Sequence, residues 1–85
     1  MSRLYLKYAG ETIATNGGRV FYFDNMQEAE RNGNLVCSVQ ELIDDDPGDV
    51  EIATMRDGQE VILAGRYWSK HSKLYDADWT RYYAR

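Results

Sequence analysis

Cys37 and His71 are the only thiol and the only imidazole in the chain, so one Cys–His nucleophile pair is formally available. The thiol sits in the apolar run Leu35-Val36-Cys37, where a free cysteine behaves as a small core hydrophobe. His71 lies among Ser69, Lys70, Ser72 and Lys73, a solvated loop by composition. Zinc needs three or four Cys, His or carboxylate ligands, and one thiol with one imidazole is too few. The run Asp44-Asp45-Asp46-Pro47-Gly48-Asp49 has oxygen donors, but Gly48 misses the sixth position of an Asp-led calcium loop. A weak, nonspecific cation site is all it offers. Asn16-Gly17-Gly18 reads as turn chemistry rather than a phosphate loop. The residues predict neither an enzyme, nor a cofactor, nor a metal centre.

Charge placement is the strongest nonrandom feature. Residues 1–40 are neutral, residues 41–60 carry a net −7 and residues 61–85 a net +3. The central block holds Glu41, Asp44, Asp45, Asp46, Asp49, Glu51, Asp57 and Glu60 against Arg56 alone. A solvated loop with ordinary hairpin charges would look the same. So would an acidic surface made to dock into a basic groove of the kind that binds nucleic acid. The second feature is the aromatic, basic C-terminal third, with Tyr67, Trp68, Tyr75, Trp79, Tyr82 and Tyr83. Such rings can stack single-stranded bases or anchor a protein interface. In so small a chain at least three of them are expected in the core.

The elements that would position these groups are short. Eighty-five residues make one α+β domain, spanning 1–85, with a real but thin core. Leu4–Tyr8 alternates and stops at Gly10, Thr12–Thr15 follows, and Asn16-Gly17 introduces Arg19–Phe23. An Asn-Gly step between β-rich runs predicts a hairpin with positive φ at Gly17. Large groups on both faces of Arg19–Phe23 predict a central strand. Asp24-Asn25 opens a short helix, capped by Asp24 and closed by Asn32-Gly33-Asn34. Leu35–Cys37 is a strand or spacer. Ser38-Val39-Gln40-Glu41 has capping-box spacing for a second short helix that Pro47 cannot prolong.

Val50–Met55 and Glu60–Ala64 flank Asp57-Gly58, a hairpin dipeptide that should hold Gly58 at positive φ. Tyr75, Trp79 and Tyr82 at i, i+4 and i+7 predict a terminal helix from Leu74 to Ala84, with Arg81 and Arg85 at its end. The sum is four to five mostly antiparallel strands with two or three short helices on one face.

Several classes are excluded. The net charge of −4 argues against a duplex-DNA binder, whose affinity rests on neutralising phosphates. With 44% apolar residues the chain is too hydrophobic for a disordered tail. The longest apolar run is four residues, too short to cross a bilayer, and Met1-Ser2-Arg3-Leu4 lacks the apolar stretch of a signal peptide. One cysteine permits no internal disulfide, which suits a reducing cytoplasm.

In size, acidity, aromatic content and want of a catalytic motif, the chain resembles the small inhibitors encoded by bacteriophages, the anti-CRISPR proteins in particular. That resemblance implies a stoichiometric binder of a CRISPR effector complex in a bacterial host's cytoplasm, with carboxylates set where DNA phosphates would lie. The mimic here would be Asp44, Asp45, Asp46 and Asp49 with Glu41 and Glu51. The basic C-terminus departs from a whole-surface mimic and favours a local acidic patch beside an aromatic anchor at Tyr67 and Trp68. Two other readings stand beside it: a small single-strand binder using the aromatic C-terminal third, and a non-catalytic accessory subunit.

Overall fold

The computed structural model describes residues 3–84. Three strands come first: β1 (Leu4–Tyr8), β2 (Glu11–Thr12) and β3 (Tyr22–Phe23). A helix, α1 (Met26–Ile43), leads to a long hairpin of β4 (Val50–Arg56) and β5 (Gln59–Arg66). Short strands β6 (Trp68–Ser69), β7 (Leu74–Tyr75) and β8 (Thr80–Arg81) follow, and a 3-10 turn at Tyr82–Ala84 ends the described chain. Among the described residues the fold is α+β with antiparallel pairing throughout and one α-helix, where two or three short helices were expected.

The hairpin forms where the dipeptide predicts. Asp57 and Gly58 have φ of 52° and 78°, the two positive values a type I′ turn demands. Between Ile52 and Ala53 the register shifts, and the extra residue on β5 is Leu63. The bulge lets Leu63 and Ala64 both enter the core. At the N-terminus the tight turn is Ala9-Gly10, with φ of 52° and 83°, and it pairs β1 with β2. The Asn16–Gly18 segment closes a single bridge, Ala14 to Val20, and the positive φ there belongs to Gly18, not Gly17. Arg19–Phe23 is therefore not a central strand. Only Tyr22 and Phe23 pair, at the edge beside Leu4 and Tyr5, and Phe21 and Tyr22 stay exposed.

The main sheet runs β2-β1-β4-β5-β8, with β3 sharing the outer edge of β1. Leu4 and Leu6 of β1 and Val50 and Ile52 of β4 meet Ala29 and Cys37 of α1 in one core. Helix α1 starts at Asn25, not Asp24: the Asn25 side chain accepts from the Glu28 N–H at 2.8 Å. It then runs 18 residues straight through Asn32-Gly33-Asn34. Gly33 is a packing site rather than a stop, because the Trp79 ring lies against it. Ala29, Gly33 and Cys37, at i, i+4 and i+8, form the buried stripe.

No α-helix forms over 74–84; only the last three residues take a 3-10 turn. The backbone there is claimed by distant partners: Asp76 N–H by the Tyr67 carbonyl, Asp76 C=O by Arg66 Nε, and Thr80–Arg81 by β5. Tyr75 and Trp79 are buried all the same. Arg85 lies outside the described residues.

Candidate functional site

The acidic run begins where α1 ends. Asp44 caps the helix, its N–H donating to the Gln40 carbonyl, and its Oδ1 accepts from the Asp46 N–H at 3.1 Å. Pro47 is buried, and Gly48 is clamped from both sides. The Gly48 N–H donates to the Tyr8 hydroxyl at 2.9 Å, Tyr8 donates on to Gln40 Oε1 at 3.1 Å, and the Tyr75 hydroxyl donates to the Gly48 carbonyl at 2.6 Å. A Cβ on Gly48 would stand 2.5 Å from that of Ala9, so only glycine permits this approach. The base of the loop is thus fixed and its tip, Asp44 to Asp46, projects into solvent with Glu41.

Asp49 points the other way along the chain. Its Oδ1 accepts from the Trp68 N–H at 2.9 Å, so the acidic loop and the aromatic segment meet there. Glu51 and Tyr67 meet one strand step further on, at 3.4 Å, and the Tyr67 hydroxyl is 2.6 Å from that of Tyr82. Burial, followed by the Tyr82 contact and the charge of Glu51, pushes the Tyr67 phenol well above its ordinary range. The structure therefore joins Asp49 to Trp68 and Glu51 to Tyr67. It leaves Glu41, Asp44, Asp45 and Asp46 as a separate, solvent-facing group.

Both aromatic groups are half-buried. Trp68 stacks edge-on against Tyr75 at 5.2 Å and packs on the core. Its indole N–H is buried without a hydrogen-bond partner among the described residues. Of the six C-terminal aromatics, Tyr82 and Tyr83 are the exposed ones.

The carboxylates find little internal compensation. The last turn of α1 contains no basic residue, although the carbonyl end of a helix carries about half a negative charge. The one ion pair of residues 44–49 among the described residues joins Asp46 to Lys70, at 3.8 Å with both side chains exposed. Such a pair contributes less than about 1 kcal/mol.

Beside this loop lies a feature the sequence reading missed. Leu42 and Ile43 are 86% and 71% exposed, and Leu35 and Val39 are exposed on the same helix. Leu35 and Val39, with Asn32, Val36 and Gln40 but not Leu42 or Ile43, border a groove of about 510 Å³ between α1 and the 11–23 arm. Its floor is Leu6 and Tyr8, and Ile13, Phe21 and Phe23 form the far wall. The signal was present: on one continuous helix, positions 35, 39 and 42 fall outside the 29-33-37 stripe. Dividing the helix at Gly33 hid it.

Among the described residues no group of three His, Cys, Asp or Glu is arranged to hold a metal ion, and no helix is long and apolar enough to cross a membrane. No family model, no curated protein and no solved structure matches this chain.

Proposed function

We propose that the chain is a stoichiometric protein-binding inhibitor that sets its acidic loop, with the Tyr67–Trp68 segment behind it, against a basic, nucleic-acid-binding surface such as that of a CRISPR effector complex. The observation that carries this reading is the C-terminal end of α1. Glu41, Asp44, Asp45 and Asp46 project from a clamped base, at the negative pole of the helix, with one weak cationic neighbour. A cluster of this kind repels itself, and a Lys- or Arg-rich surface relieves the repulsion on contact. Presentation on a fixed base spares the entropy of ordering a loop on binding.

The non-catalytic part of this reading is supported by Cys37. It is fully buried, and burial pushes its thiol up to about 11, so the nucleophilic thiolate is scarce at neutral pH.

Capture from host lysate followed by mass spectrometry identifies the partner. The variant Asp44→Asn, Asp45→Asn, Asp46→Asn, Asp49→Asn is then compared with wild type at two salt concentrations. The expected result is slower association, with a difference that shrinks as salt rises. Unchanged affinity at low salt would refute the acidic-patch mechanism. Tighter binding of the variant to a short oligonucleotide would favour the single-strand reading instead.

A further inference from the structure

We draw no further inference here: the strongest candidate, the apolar groove between α1 and the 11–23 arm, is an unpartnered surface on which nothing in the structure shows what covers it.

Discussion

The Trp79 indole lies where a side chain on Gly33 would have to go: its Cη2 and Cζ2 stand 2.5 and 2.6 Å from the position of a Cβ there. Helix and C-terminal segment are fitted to one another at this point, and Asn34 secures the fit. Its Oδ1 accepts from Trp79 Nε1 and from Arg66 Nη1, each at 3.0 Å.

Gly33→Ala should therefore destabilise the protein. In an open helix the change would gain about 1 kcal/mol of propensity. Here the methyl group must displace a buried ring, and overpacking of that kind costs about 1–3 kcal/mol. The urea midpoint should fall. In the background of Trp79→Leu, which removes the obstructing ring, the same substitution should lose its penalty, so the two changes should be clearly non-additive. A higher midpoint for Gly33→Ala alone would show that the ring yields freely.

Turn glycines provide a second check. Gly18 has φ of 82°, whereas a Cβ on Gly17 would meet nothing nearer than Thr15 Oγ1 at 3.8 Å. Gly18→Ala should cost about 1 kcal/mol and Gly17→Ala less than about 0.5 kcal/mol, measured by urea unfolding. The reverse order would place the strained residue where the Asn-Gly step alone suggests it.

These two sites mark what the residues alone could reveal. Asp57-Gly58 was legible because both turn residues are set by their own backbone chemistry. So was the end of α1, since Pro47 and the aspartates forbid continuation. Gly33 was not legible: a glycine between two asparagines looks like a helix stop until Trp79, 46 positions away, is placed on it. The periodic Tyr75, Trp79 and Tyr82 mimicked a helix because two of the three are core residues, yet pairing with β6 and β5 draws Leu74–Tyr75 and Thr80–Arg81 into short strands. The acidic loop was visible as a string of charges. Its clamped base was not, because Tyr8 and Tyr75 come from opposite ends of the chain.

A pH dependence follows from the other face of the sheet. Glu60 accepts from Lys7 Nζ and, at 2.6 Å, from the Tyr5 hydroxyl. The Lys7 and then the Tyr5 hydrogen bond hold its carboxyl below the ordinary value of 4.5. Because the folded value is the lower one, this stabilisation is present above pH 4.5 and is lost as pH falls through the depressed value. Glu60→Gln keeps an acceptor for Tyr5 but not the charge. The stability gap between wild type and variant, below about 1 kcal/mol for so exposed a pair, should be open at pH 7 and narrow as pH falls below 4.5. At the alkaline end burial, aided by Glu60, pushes the Tyr5 phenol up to about 12, so its contribution is complete below pH 10 and disappears as pH rises towards 12. A gap that stays constant from pH 7 to pH 3 would contradict the assignment.

The last prediction divides the acidic loop by role. Asp49 holds the Trp68 N–H at 2.9 Å, while Asp44 to Asp46 project from the helix end. Asp49→Ala removes the acceptor from a backbone donor and should cost about 1 kcal/mol; Asp49→Asn retains an oxygen in the same place and should cost much less. The triple variant Asp44→Asn, Asp45→Asn, Asp46→Asn should behave in the opposite sense. An amide at residue 44 still accepts from the Asp46 N–H, and three charges leave the negative pole of α1. Stability should hold or rise by a few tenths of a kcal/mol, the scale of a charge beside a helix terminus. Urea unfolding of the three variants decides the matter at once. If Asp49→Ala is silent, the loop is not held through Trp68. If the triple variant unfolds early, the projecting carboxylates serve the fold itself, and their exposure no longer argues for a partner.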